Sequence, residues 1–265
     1  MIIIGEKINA TRKAIGAAIE AGDAELIIKT ATEQAEAGAD YIDINGGSPK
    51  EGQEAKNMQW LMDLVQANTD TPVAVDSANP EAVKIGLGLA KIKPILNSIS
   101  LETDRIEQIL PLAKDHDCMV VALLMSDDGT PMSKDDRVTR ADDLIEKLTG
   151  IGKKIDEIIV DPCFLPVSAD PGSGRTVIDA VAAIHEKYPD VHIGGGCSNI
   201  SFGLPKRKLV NFALLSQAIY VGMDTGIIDP CIPGIIATIL AAEAVAGKDE
   251  FCMGYVTAER EGRLG

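Results

Sequence analysis

The stretch Val73–Leu89, VAVDSANPEAVKIGLGL, holds one complete structural unit. Val73-Ala74-Val75 is a short apolar run without polar alternation, the pattern of a strand buried on both faces. Asp76-Ser77 closes it. Asn79-Pro80 then opens a helix: the Asn side chain can cap, and Pro fits the first helical position, where no backbone N–H is required. Gly86-x-Gly88 lies inside that helix and lacks the third glycine of the G-x-G-x-x-G dinucleotide fingerprint, which belongs after the first strand of an open sheet.

The same rhythm runs outward in both directions. Ile2–Ile4 and Tyr41–Ile44 read as strands upstream; Ile95–Leu96, Met119–Leu124, Ile158–Val160, Val191–Ile193 and Ile219–Val221 do so downstream. Helical patterns separate them. Ala24–Ala37 places Ile27, Ala31 and Ala35 four apart and ends at Gly38, a suitable left-handed terminator. Asp135–Leu148, Leu204–Ala218 and Pro233–Ala246 are further helices, with Gly247 ending the last. Eight strand-then-helix units in 265 residues predict an α/β fold, a single (β/α)8 TIM barrel spanning 1–265 as one domain. The alternative, an open doubly wound sheet, lacks its fingerprint. The polar loop Ser126–Lys134 reads as an exposed connection, and the charged tail after Cys252 as a fraying end. Gly194-Gly195-Gly196, after the seventh strand, reads as a close approach of backbone to a ligand.

Composition narrows the function classes. Hydrophobic residues at 46% supply a large core, and aromatics at 3% make it aliphatic. Asp plus Glu number 40 against 25 Lys plus Arg, a net charge of −15. That balance speaks against nucleic acid and anionic membrane surfaces, while leaving room for a local basic pocket. Cys118, Cys163, Cys197, Cys231 and Cys252 form no C-x-x-C pair and fit reduced thiols in the cytoplasm. Glu6 interrupts the opening apolar run, so no secretory leader is read there. The longest apolar stretch, Ile232–Ala242, contains Pro233 and Gly234 and falls short of the ~20 residues of a membrane span.

In a barrel, chemistry collects at the C-terminal ends of the strands. Those ends read Gly5-Glu6-Lys7-Ile8-Asn9, Asp43-Ile44-Asn45-Gly46-Gly47, Asp76-Ser77, Asn97-Ser98, Asp161-Pro162 and Ser198-Asn199, with Asp224 and Asp229-Pro230 after the eighth. One Asp or Asn at a strand end commonly caps a helix or fixes a turn. Six polar ends together are poorly explained by capping. Zinc would want close His and Cys; His116, His185 and His192 are scattered. Alternating Asn dilutes the charge a carboxylate-bound Mg²⁺ needs. A paired-carboxylate glycosidase would add aromatic platforms, and Trp60 is the one tryptophan. A neutral heterocycle fits better. The N–H and NH₂ of a 2-amino-4-oxo-pyrimidine edge suit a carboxylate fork, and Asn matches mixed ring nitrogens. That is the edge of a pterin.

At this point the sequence resembles the pterin-binding barrel family, and within it the methyltetrahydrofolate:corrinoid protein methyltransferases. The matching stretches are GEKIN (5–9), DINGG (43–47), VDS (75–77), NSIS (97–100), VDP (160–162), GGCSNISFGLPKR (195–207) and MDTGIIDP (223–230). By these motifs the family's pterin ligands fall on Asp76, Asn97 and Asp161. Its Asn that reaches N5 of the folate falls on Asn199, beside Ser198. Arg207 matches an Arg that touches pterin or tail, or is a helix-surface charge. Glu6 and Asn9 match the opening motif, joining the polar network or capping the turn.

The resemblance implies a methyltransferase with methyltetrahydrofolate as substrate, no resident cofactor or metal, and a corrinoid supplied by a partner protein. N5 is a poor leaving group until protonated, so the barrel would position the folate for SN2 displacement and favour protonated N5. Asn199 would stabilise the developing N5–H⁺ by hydrogen bonding. Water coupled to Asp43 or Asp161 is the candidate proton source. The family is commonly homodimeric. The D-x-H-x-x-G motif of corrinoid-binding modules is missing, so the corrinoid must arrive on another protein. Two rivals stand beside this reading. One is a dihydropteroate-synthase-like condensing enzyme, against which Ala10-Thr11-Arg12-Lys13 and Pro205-Lys206-Arg207 depart from that signature. The other is a non-catalytic pterin-binding subunit.

Overall fold

The computed structural model describes residues 1–264. Its strands are β1 (Ile2–Asn9), β2 (Tyr41–Asn45), β3 (Val73–Asp76), β4 (Ile95–Leu101), β5 (Met119–Ser126), β6 (Ile158–Asp161), β7 (His192–Ile193) and β8 (Thr225–Ile228). All neighbours pair in parallel, in the order β7-β6-β5-β4-β3-β2-β1-β8. The last seam lies between β7 and β8. There Asp224 N–H donates to the Ile193 carbonyl at 3.1 Å and Ile227 N–H to the Gly195 carbonyl at 2.9 Å. These bonds close the barrel.

Helices follow the strands: α1 (Lys13–Ala21) and α2 (Ala24–Glu36), then α3 (Gln53–Asn68), α4 (Pro80–Leu89), α5 (Thr103–Asp115), α6 (Lys134–Gly150), α7 (Ser173–Lys187), α8 (Arg207–Tyr220), α9 (Ile235–Val245) and α10 (Met253–Arg260). Asn79 caps α4 by accepting the Glu81 N–H at 2.9 Å, with Pro80 in the first turn. Gly86 lets α4 lie against β3, since a Cβ there would sit 2.5 Å from Val75 Cγ1.

Two cores result. A large aliphatic cluster fills the space between sheet and helices. A second lies inside the barrel: Ile4, Ala74, Ile95, Met119, Val121 and Ile159, with Ile2, Tyr41 and Ile227 packed on it.

Two sequence expectations need correction, and a third gains a protein contact. Ile219–Val221 is not the eighth strand; Ile219 and Tyr220 end α8, where Leu215, Ala218 and Ile219 continue one buried helical face. The true β8, Thr225-Gly226-Ile227-Ile228, is diluted by a Gly, where an added Cβ would lie 2.5 Å from the flexible tip of Met1. The glycine run after β7 is packed closely against protein. A Cβ on Gly194 would fall 1.8 Å from the Thr225 carbonyl oxygen, and one on Gly195 would fall 1.9 Å from Asp161 Oδ2. Finally, the tail after Cys252 forms α10, whose start is fixed by Asp249 accepting the N–H groups of Gly254 and Tyr255, each at 2.9 Å.

Candidate functional site

Side chains two apart on a strand share a face. Two residues beyond the interior apolar layer, six strands therefore aim a polar group into the barrel mouth. Ile4 is followed by Glu6, Tyr41 by Asp43, Ala74 by Asp76, Ile95 by Asn97, Ile159 by Asp161 and Ile227 by Asp229. On β5 the same step from Val121 leads to Leu123. The barrel interior thus changes from aliphatic to polar within one step of two residues.

Hydrogen bonds order this floor. Asn97 Nδ2 donates to Asp43 Oδ1 at 3.1 Å, and Asn45 Nδ2 donates to Asp76 Oδ2 at 2.9 Å. Asp161 Oδ1 accepts the Cys163 N–H at 2.9 Å and Oδ2 the Gly196 N–H at 3.2 Å. On the β1 side, Glu6 Oε1 accepts from Arg12 Nη2 at 2.7 Å and from Ser198 Oγ at 3.3 Å. Arg207 donates from Nη2 to the Ser198 carbonyl at 2.6 Å and from Nε to Ser201 Oγ at 3.0 Å. Ser198 and Asn199 belong to a short 3₁₀ turn, Cys197–Ser201, and Asn199 is exposed.

Burial sets the electrostatics. Asp161 is 8% exposed, and desolvation pushes its carboxyl up to about 6, against the opposing pull of the Cys163 and Gly196 N–H groups and the Arg137 charge. Asp43 is held well above the ordinary carboxylate range, first by burial and then by the neighbouring charge of Asp76. Burial also raises Asp76, against the Asn45 hydrogen bond, and raises Glu6 against the Arg12 guanidinium. Of Asp43 and Asp76, Asp43 is the one raised further, so the mouth combines hydrogen-bond acceptors with a carboxyl of increased proton affinity. Among the described residues there is no group of three His, Cys, Asp or Glu arranged to hold a metal ion.

The expected residues divide into three groups. Asp43, Asp76, Asn97 and Asp161 stand on the interior face of consecutive or nearby strands. Glu6, Ser198 and Arg207 form a connected chain that braces the turn carrying Asn199. Asn9 is used in the turn after β1: its Oδ1 accepts from Thr11 N at 3.0 Å and Thr11 Oγ1 at 2.6 Å.

Sequence reading missed Asn45, which the i, i+2 alternation from Asp43 would have found. It also missed two bracing arginines. Arg137, 1% exposed, donates to the Pro162 carbonyl at 2.6 Å and the Cys163 carbonyl at 3.2 Å, holding the loop that supports Asp161. Arg105 donates to the Ala78 carbonyl at 2.8 Å and to the Ser98 carbonyl, tying the ends of β3 and β4 together. No local pattern marks either.

Known proteins are similar to this chain to differing extents. The family of pterin binding enzymes matches residues 5–229. The methylcorrinoid:tetrahydrofolate methyltransferase of Eubacterium limosum is 37% identical over 267 residues, covering 100% of this chain and 98% of that protein. The methionine synthase of Mycobacterium tuberculosis is 26% identical over 248 residues, covering 86% of this chain but 20% of that protein. Among solved structures, dihydropteroate synthase from Xanthomonas albilineans in complex with 7,8-dihydropteroate superposes with a TM-score of 0.70 at 18% identity, over 94% of this chain and 92% of that one. That likeness speaks for the barrel alone. With its closed barrel, its polar floor and a family match running from the first strand to the end of the eighth, the chain belongs to the pterin-binding enzyme family.

Proposed function

We propose that this protein is a methyltransferase that moves a methyl group between N5 of methyltetrahydrofolate and the cobalt of a corrinoid carried by a partner protein. The full-length similarity to a methylcorrinoid:tetrahydrofolate methyltransferase carries this reading. We further propose one domain over 1–265, a cytoplasmic location and a homodimer. No helix among the described residues is long and apolar enough to cross a membrane.

Asp161 supplies the fork for the pterin edge. Each of its oxygens accepts one backbone N–H and keeps a second lone pair, so both remain available to the ligand N–H and NH₂. Asp76 and Asn97 offer an acceptor and a carboxamide to the remaining ring atoms. Asn199, exposed on its braced turn, reaches N5. When the methyl leaves folate, the C–N bond breaks as the new bond to cobalt forms, and N5 keeps the electron pair and the proton. Asn199 has no useful acid pKa, so it stabilises the N5–H⁺ that develops and does not donate the proton. Asp43, whose proton affinity burial raises, is the candidate proton source through water.

The test is methyl transfer from methyltetrahydrofolate to cob(I)alamin, followed by loss of the Co(I) absorbance, with wild type beside Asn199→Ala. Wild type consumes Co(I). The variant turns over about a hundredfold more slowly, while its folate affinity changes about threefold or less. Equal losses in both parameters would reduce Asn199 to a ground-state contact. A wild type that binds no folate in calorimetry would return the site to dihydropteroate-type substrates.

A further inference from the structure

Asp161 is followed by a backbone conformation that a residue with a side chain rarely adopts. Cys163, buried beside it, holds φ at 59°, in the left-handed region. A Cβ makes that conformation costly, and glycine would escape the cost. The conformation turns the Cys163 N–H back onto Asp161 Oδ1 at 2.9 Å, an Asx turn, and Pro162 between them has no N–H to compete. The strained residue thus orients the carboxylate that the pterin edge requires.

Arg137 on α6 holds this turn from behind. Its Nε donates to the Pro162 carbonyl at 2.6 Å and its Nη2 to the Cys163 carbonyl at 3.2 Å. The Pro162–Cys163 peptide is therefore gripped at both ends. A trans peptide points its C=O and N–H in opposite directions, and here the C=O meets the guanidinium while the N–H meets Asp161. Arg137 Nη1 also donates to the Ser133 carbonyl at 3.2 Å, which fixes the guanidinium to the start of its own helix. Arg140, about one turn on, pairs with Asp136 at 2.7 Å, whereas Arg137 forms no salt bridge among the described residues. A buried cation without a paired anion is costly. Asp161, across the gripped peptide, is the anion that this charge serves.

We propose that Arg137 is a positioning residue for folate binding: through the Pro162–Cys163 peptide it fixes and polarises the N–H that orients Asp161, so that the carboxylate meets the pterin edge as a ready-made fork. The inference rests on the folate reading above, with Asp161 as the fork, and gives Arg137 no contact with the ligand. The titratable groups around Asp161 come from three elements. From α6 come Arg137 and, behind it, the Arg140–Asp136 pair. The turn after β6 brings Cys163, and the turn after β7 brings Cys197. Burial raises both thiols, Cys197 up to about 12, so both stay neutral while Asp161 titrates. On β5 the register partner of Asp161 is Leu123, which carries no charge. Arg137 thus supplies the charge that opposes protonation of Asp161.

A double-mutant cycle in calorimetry tests the proposal, with methyltetrahydrofolate as ligand and wild type, R137M, D161A and R137M/D161A as proteins. R137M weakens binding about tenfold and D161A about a hundredfold, and the double variant binds no more weakly than D161A alone. Losses that multiply would show Arg137 acting on the mouth without Asp161, and would overturn the positioning role. The acid-side decline of affinity, centred near pH 6 in wild type, moves to higher pH in R137M. A generally loosened mouth would instead lower affinity equally at every pH, and that result also overturns the proposal. R137K keeps the charge but not the forked donors; it loses about threefold, leaves the pH profile in place, and takes the place of R137M in the cycle if R137M does not fold. C163G keeps the N–H and suits the left-handed backbone, so it binds folate within about threefold of wild type; a loss as large as that of R137M would assign the effect to the thiol and not to the peptide. Folate affinity left unchanged by D161A overturns the pterin assignment at Asp161, and this inference with it.

Discussion

Asp161 carries opposing demands. Its carboxylate sits behind β7 against glycine backbone, where ionisation is costly, yet its ionised form is the better fork for two ligand N–H groups. Two outcomes follow at this single residue. Asp161→Ala weakens folate binding by about a hundredfold in calorimetry, because two ligand donors lose a charged acceptor; unchanged affinity would remove the pterin from this position. In the wild type, folate affinity declines as pH falls below about 6, when Asp161 takes up a proton and one oxygen turns from acceptor to donor. Affinity that stays flat from pH 7.5 to pH 5 would show that the ligand does not use the ionised form.

At the scale of elements, the site depends on how closely helices and strands approach. Arg137 on α6 holds the turn after β6, and Arg105 on α5 ties β3 to β4. Both act from outside the barrel on backbone inside it. The α4–β3 contact offers a controlled comparison within one helix. Gly86→Ala destabilises by about 1–3 kcal/mol, since its methyl would meet Val75 Cγ1 at 2.5 Å and the core must shift. Gly88→Ala, with nothing within 4 Å of its Cβ, is neutral or stabilising by about 0.5–1 kcal/mol through reduced backbone freedom in the unfolded chain. Urea unfolding midpoints of the two variants should move in opposite directions, or only the first should move. Equal shifts would mean that helix propensity, not packing, controls this element.

At the scale of the whole molecule, the ligand-free barrel is strained by its own polar mouth. Glu6, Asp43, Asp76 and Asp161 all have their proton affinities raised by burial. A carboxyl raised in the folded state binds more protons folded than unfolded, so stability increases as pH falls through its folded value. His192, raised chiefly by its bond to Asp224, acts in the same sense: its contribution is complete below the unfolded value near 6.5 and lost as pH rises through the folded one. Asp117 and Asp127, held low by Lys93 and Thr103, lose their stabilisation only on further acidification, below the ordinary carboxylate range. The melting temperature of the ligand-free protein should therefore be higher at pH 5.5 than at pH 8. The opposite slope would show that these carboxyls are not desolvated in solution.

The sequence by itself determined the alternation of strands and helices, the barrel that eight such units make, and the polar residues at the strand ends. These are local properties: short apolar runs, an Asn-Pro helix start, and an Asp or Asn two residues past a buried aliphatic one. Tertiary structure decided what depends on neighbours distant in the chain. It moved the eighth strand from Ile219–Val221 to Thr225–Ile228, because an apolar triplet looks the same on a helix face as in a strand. It packed Gly194 and Gly195 against β8 and Asp161, where a side chain would collide. It left Asn9 in a turn and joined Asn45 to Asp76. Register and closure set these contacts, and both are properties of the assembled sheet, which no window of sequence contains.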